Sequence, residues 1–332
     1  MSRSSAAGDR SLPGANLPRD ATTAMASPPR ASRPAEAAWR VWAALLAVGV
    51  LWGSAFPLIR VNASALGPVG VTFARVALGA LVLTLLVTAA GALRRGTTWR
   101  AIGTQLPALL LLAALNVAIP LTLVAAAIVG LNASVAAVLN ATTPMATLVV
   151  AAVWLREPVR TRQMVGVLAG LAGVAVVVGG APLDLNTSTL FAVGASLAAA
   201  LSYAFGGVYT RRRFPDTSPT TLALGQQLCA TVLLLPLAVI TPPPGPVTAA
   251  VAAPLLVLGV GSMAVAYLLY FWILRTAGPV VASTVTLLVP LVGSAIGVGW
   301  LGEPLSLGLV AGLVIVLSSV ALITHPGPRD FG

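Results

Sequence analysis

The stretch Trp154-Leu155-Arg156-Glu157-Pro158 (WLREP) ends one long apolar run, and Trp300-Leu301-Gly302-Glu303-Pro304 (WLGEP) ends another, 146 residues later. The chain holds only eight acidic residues in 332, so a glutamate at the same place in both runs is informative. At the same constant offset Asn140 aligns with Thr286, Pro144 with Pro290, and Gly166 with Gly312. The match runs without a gap through the last two apolar runs of each half. The earlier runs align more loosely; Ala55-Phe56 and Ala204-Phe205 need an offset of 149. WLREP and WLGEP are therefore read as equivalent points in an internal repeat.

Composition says what kind of repeat. Hydrophobic residues make up 58% of the chain and charged residues 8%, with a mean hydropathy of +0.97. A soluble domain carries about a quarter charged residues, so this chain lacks the shell a soluble core needs and reads as all-α and membrane-integral. The net charge of +11 comes from 19 basic residues, all arginine. No arginine-aromatic stripe or basic helix accompanies it, which argues against nucleic acid as a partner. One cysteine, Cys229, and one histidine, His325, rule out a disulfide framework or a Cys/His metal cluster. No metal and no cofactor are expected.

A membrane span needs about 20 mostly apolar residues. Ten runs qualify, at 41–61, 69–90, 105–126, 132–153, 164–180, 190–209, 219–240, 252–274, 279–300 and 307–324. Residues 1–38, rich in Ser, Ala, Pro and Arg, read as a disordered tail. Asp9, Asp20 and Glu36 weigh against a transit peptide there. Seventeen of the 19 arginines fall in the two tails and in the loops after spans 2, 4, 6 and 8, whereas the loops after spans 3, 5, 7 and 9 have none. By the positive-inside rule both termini, 1–38 and 325–332, are cytoplasmic. Five spans per half is an odd number, so the second half enters the membrane in the opposite orientation. That places Glu157 at the cytoplasmic face and Glu303 at the outer face, in the inverted-repeat arrangement of secondary transporters.

Trp52–Pro57 (WGSAFP) in span 1, Phe73–Arg75 (FAR) in span 2, and the Pro-containing span, Glu-bearing end and glycine-led span that close each half carry a family resemblance. Over about 41–324 the chain resembles the drug/metabolite transporter superfamily, and within it the ten-span exporters built from two EamA domains. The resemblance implies EamA repeats at 41–180 and 190–324, alternating access, and export of small metabolites or drugs across the cytoplasmic membrane. Arg156-Glu157-Pro158 departs from the glycine-glutamate pair that is usual in the family.

Both glutamates are candidates for proton coupling. They sit at span ends, where a carboxylate keeps its hydration and meets a helix N-terminus in the following turn, so Glu157 and Glu303 are read as structural. No acidic residue lies inside a span, and a buried carboxylate relay is missing. The stronger site signal lies in backbone breaks. A proline frees the carbonyl four residues earlier, so Pro144 frees that of Asn140, Pro120 that of Asn116, Pro290 that of Thr286 and Pro57 that of Gly53. Such breaks belong against a wet cavity or against packed helices. Asn140 and Thr286, repeat-related and near mid-span, are the preferred substrate-binding pair, with Asn116 beside them. Trp52, Tyr203 and Tyr267 lie at mid-depth, away from the interfaces where such residues gather, and are read as cavity walls. Arg75, the one charge inside a span, is open to snorkelling outward, to a substrate carboxylate or to the opposite repeat, with structure or gating preferred. The GxxxG patterns at 166–170 and 308–312 read as close helix packing.

These features point to a secondary transporter exporting small neutral or zwitterionic solutes, such as amino acids or drug-like molecules. Its expected partners are that solute and the lipid bilayer; a homodimer is left open. A multispan receptor or signalling subunit is the alternative, and it requires a soluble output domain that neither tail provides. A membrane enzyme requires catalytic groups clustered at one depth, and the sequence has no such cluster. The phosphate loop of an ATP-driven pump is absent too.

Overall fold

The structure is a computed structural model describing residues 34–89, 97–181 and 186–324, and no strand occurs among them. The expected tails fall mostly outside it: residues 1–33 and 325–332 lie beyond the described residues. The first helix, α1, runs Pro34–Gly53 and so begins inside the segment expected as tail. Proline suits a helix start, where its missing N–H is not needed. After Ser54 comes α2 (Ala55–Ala89). Then follow α3 (Thr97–Thr104), α4 (Leu106–Ala113), α5 (Ile119–Gly130), α6 (Ala133–Asn140) and α7 (Thr143–Trp154). Beyond WLREP the chain continues as α8 (Thr161–Gly180), α9 (Thr187–Arg213), α10 (Pro219–Ile240), α11 (Ala249–Leu256), α12 (Ala266–Ser283), α13 (Val285–Leu301) and α14 (Leu307–Thr324). Two wider, π-helical segments join α4 to α5 and α11 to α12, at Ala114–Ala118 and Val257–Val265.

Among the described residues eight helical stretches are long and apolar enough to cross a membrane, and Val285–Leu301 is a shorter apolar helix. One of the eight, Trp39–Ala89, is 51 residues long. At 1.5 Å per residue that would be about 75 Å, well over the roughly 30 Å of a hydrocarbon core. It does not run straight. Gly67 leaves helical geometry (φ 67°, ψ 167°) ahead of Pro68, a conformation open to glycine. The two limbs then meet the same neighbour: Trp52 Nε1 donates to the Ser262 carbonyl at 3.0 Å, and Gly79 abuts Met263. The tip is pinned by the Gly245 N–H, which donates to the Ala65 carbonyl at 2.9 Å.

WLREP and WLGEP end their helices in the same way. Arg156 (φ 56°) and Gly302 (φ 65°) both adopt the left-handed conformation that stops a helix. In each case the next residue folds back: Glu157 N–H donates to the Ala151 carbonyl at 3.5 Å, and Glu303 N–H to that of Gly297 at 3.1 Å. The two caps use residues 146 apart, and Pro158 and Pro304 prevent the helix from resuming. Arg156 performs at some strain what Gly302 does freely, so the exchange of glycine for arginine has a conformational consequence.

Lipid tails supply no hydrophobic drive between helices, so contact depends on small residues that let backbones approach. The α8–α14 pair shows this along its length. Gly166 and Gly170 face Ser319, Gly173 faces Val316, Gly180 meets Gly308, and Gly312 fits against Val177. Ser319 Oγ closes the seam by donating to the Gly166 carbonyl at 2.5 Å.

Candidate functional site

Six elements converge on a polar layer within the apolar interior. From α2 comes Arg75, 1% exposed, whose Nη2 reaches only the Leu121 carbonyl, at 3.5 Å, and whose Nε has no partner. No carboxylate among the described residues pairs with it. Tyr203 of α9 and Tyr267 of α12 pack against the same apolar cluster as Val76, the neighbour of Arg75 on α2. Trp52 of α1 stacks edge-on against Tyr267 (ring centroids 5.5 Å apart) and lies 5.3 Å from Tyr270. The first π-helical segment contributes Asn116, whose Nδ2 donates to Gln226 Oε1 of α10 at 3.1 Å. Gln227, next in sequence, donates to the Met263 carbonyl at 3.4 Å. Gln226 Nε2 and Gln227 Oε1 are buried without partners.

The two π-helical segments are built alike. Asn116 and Ser262 are 146 residues apart, the offset that relates WLREP to WLGEP. Around the first, Ser202 Oγ of α9 donates to the Leu115 carbonyl at 2.7 Å. Around the second, Ser262 Oγ donates to the Leu51 carbonyl of α1 at 2.7 Å, and the Ser262 carbonyl accepts from Trp52. Each segment thus binds the opening helix of the opposite half. Wider helical turns misalign carbonyls and are frequent at functional sites, and here their polar groups face other helices rather than lipid.

Of the residues singled out from sequence, Trp52, Arg75, Asn116, Tyr203 and Tyr267 come together in this layer. Asn140 lies at the end of α6; its carbonyl, freed by Pro144, accepts from Thr143 Oγ1 at 2.7 Å, and its Oδ1 is buried without a partner. Thr286 sits in the first turn of α13 ahead of Pro290. Pro120 follows the first π-helical segment directly. Near Pro57, the Gly53 carbonyl lies so close to Gly293 that a Cβ there would approach it to 3.3 Å. Sequence reading passed over Gln226, Gln227, Ser262 and Tyr270. An adjacent pair of glutamines in the middle of an otherwise apolar span was the available signal. A shallow apolar depression of about 290 Å³ beside Pro68, Val129 and Phe191 contains none of these residues.

Glu303 requires a correction. A hydrated carboxylate at a span end was expected, meeting the helix that follows it. Instead Glu303 is buried, and it caps α6 from the other half of the chain. Its oxygens accept from Ala133 N–H (2.7 Å), Ser134 N–H (2.9 Å) and Ser134 Oγ (2.5 Å). Arg60 Nε stands 3.7 Å from Glu303 Oε1, while Arg60 Nη1 donates to the carbonyls of Leu131 (2.5 Å) and Ile128 (3.3 Å) at the end of α5. The reason is electrostatic: the cation meets the negative end of one helix and the anion the positive end of the next. Glu157, its counterpart, stays half-exposed and pairs with Arg211. No group of three or more His, Cys, Asp or Glu gathers among the described residues to hold a metal.

Probable terminal-alkyne amino-acid exporter of Streptantibioticus cattleyicolor is 31% identical over 86% of this chain and 93% of its own. Uncharacterized inner membrane transporter YedA of Escherichia coli K12 is 29% identical over 86% and 90%, and Protein PecM of Dickeya dadantii 29% over 65% and 72%. A crystal structure 18% identical in sequence superposes with a TM-score of 0.62 over 88% of this chain and 96% of that one, a likeness of fold. The EamA-like transporter family matches residues 39–179 and again residues 190–325. With both matches covering most of a multi-pass, helical membrane chain, this protein belongs to the EamA-like transporter family of the drug/metabolite transporter superfamily.

Proposed function

We propose that this transporter exports small neutral or zwitterionic solutes, amino acids among them, by alternating access between two inverted five-helix halves. The reading is carried by the paired π-helical segments. The Leu115 carbonyl beside Asn116 and the Ser262 carbonyl each accept from the opening helix of the opposite half, from Ser202 and Trp52, with Tyr267 against Trp52. A site shared between repeats is where such transporters hold their solutes. Ten crossings follow if Trp39–Ala89 crosses twice, turning at Gly67, and Val285–Leu301 supplies one more. The alternating arginine loops support cytoplasmic termini. The two faces also differ, since the Glu303 end is buried and bonded while the Glu157 end is half-exposed, as two stages of one cycle would be. A relative named as an amino-acid exporter favours that solute class.

Reconstituted vesicles loaded with unlabelled amino acids should accumulate label from an external labelled mixture by counterflow. Trp52→Ala and Asn140→Ala should each weaken exchange by roughly two- to tenfold, the worth of one neutral hydrogen bond or contact. Exchange of no amino acid would reject the solute class. Wild-type exchange in both mutants would reject Asn140 and Trp52 as site residues.

A further inference from the structure

We infer that Arg75, buried on α2 with its Nε unpartnered, is the docking point for a carboxylate carried by the transported solute. The inference rests on the transport reading above and names the polar end of its substrate. Arginine stays protonated in proteins, and a charged group deep among membrane helices is costly unless paired. Arg75 is 1% exposed, yet among the described residues its one hydrogen bond is a 3.5 Å reach to the Leu121 carbonyl and its Nε is unpartnered. Helix packing alone would favour an apolar residue at this place, or an acidic partner beside the arginine. Neither is present. What the guanidinium lacks is a planar anion that accepts from Nε and Nη together, as a carboxylate does.

The surroundings fit the same ligand. Gln226 Nε2 is a second buried donor without a partner, and its amide is held in place by Asn116. Trp52, Tyr267 and Tyr270 form an aromatic wall suited to the apolar or ammonium-bearing remainder of an amino acid. The layer has donors and aromatic faces but no carboxylate, so a solute bearing only a positive charge finds a like charge there. This specificity separates amino acids and other carboxylates from amines and cationic drugs.

The test uses the purified full-length chain and a panel of the twenty amino acids, each as the free acid, the C-terminal amide and the N-acetyl acid. Binding is read by thermal shift, and exchange by counterflow in vesicles. At least one free acid should bind, its amide roughly 10- to 150-fold more weakly, the span of a hydrogen bond to a charged group, and its N-acetyl form much nearer the acid. Arg75→Gln should abolish the preference for acid over amide. Arg75→Lys, which keeps the charge but not the fork, should retain a reduced preference. An amide that binds as well as its acid, while counterflow persists, overturns the carboxylate site and leaves the transport reading standing. If no member of the panel binds or exchanges, both fall. Should Arg75→Gln fail to fold, the acid-to-amide ratio of the unmodified protein decides the matter. Variants that lower stability while leaving that ratio unchanged would show Arg75 to be structural and overturn the inference.

Discussion

Glu303→Gln keeps the size and shape of the side chain and changes one oxygen into an NH₂ group. The carboxylate accepts from three donors, two backbone N–H groups and one hydroxyl, at 2.5–2.9 Å in a buried setting. Glutamine has one accepting oxygen, so its amide nitrogen must face at least one of those donors. A buried donor left without an acceptor costs about 1–3 kcal/mol, and a hydrogen bond to a charged group contributes about 1.5–3 kcal/mol. The Arg60 guanidinium also loses its facing anion. Because the Arg60 side chain is 38% exposed, its share is small, and together these amount to about 2–4 kcal/mol. Glu157→Gln breaks only a half-exposed ion pair with Arg211, which contributes about 0–1 kcal/mol. The assay is the thermal midpoint of each purified variant in detergent, scanned at one rate because membrane proteins of this size unfold irreversibly. At about 2–4 °C per kcal/mol, Glu303→Gln should lose on the order of 10 °C and Glu157→Gln little. Equal losses, or a larger loss for Glu157→Gln, would refute the assignment of Glu303 as the cap of α6.

Arg156→Gly should raise stability by about 1 kcal/mol, since an L-residue in the left-handed conformation costs about that much; a lowered thermal midpoint would show that the Arg156 side chain outweighs its backbone strain. Gly312→Leu should disrupt the α8–α14 seam, because an added Cβ would lie 2.2 Å from Val177 Cγ2 and 2.9 Å from the Gly173 carbonyl. A monodisperse variant at wild-type yield on size-exclusion chromatography would contradict that packing. Trp52→Phe retains the ring but not the bond to the Ser262 carbonyl, and should lower thermal stability by about 1 kcal/mol, with an unchanged midpoint counting against that bond. Single cysteines placed after spans 2, 4 and 6, with Cys229 replaced, should react with impermeant reagents from the cytoplasmic side. Labelling of any of them in intact cells from outside would overturn the orientation.

The amino-acid sequence by itself determined the helical, membrane-spanning class and the two matching helix ends. In a bilayer each backbone group must find its partner within its own segment, so hydropathy, proline and glycine act locally and can be read locally. WLREP and WLGEP were recognisable as matching ends for this reason, and their left-handed caps at Arg156 and Gly302 follow from the same few residues. Trp52 and Tyr267 were singled out within apolar runs, and the structure brings their ring centroids to 5.5 Å. Tertiary structure decided the partners. Glu303 is buried because its acceptors meet Ala133 and Ser134, some 170 residues away in sequence, a meeting set by how two helix ends are packed. The pairing of Asn116 with Gln226, the neglected Gln227, and the unpaired state of Arg75 depend likewise on the rotation and depth of helices from both halves. Local sequence carries the hydrogen bonds along each helix, but the match between one helix face and another exists only after they pack.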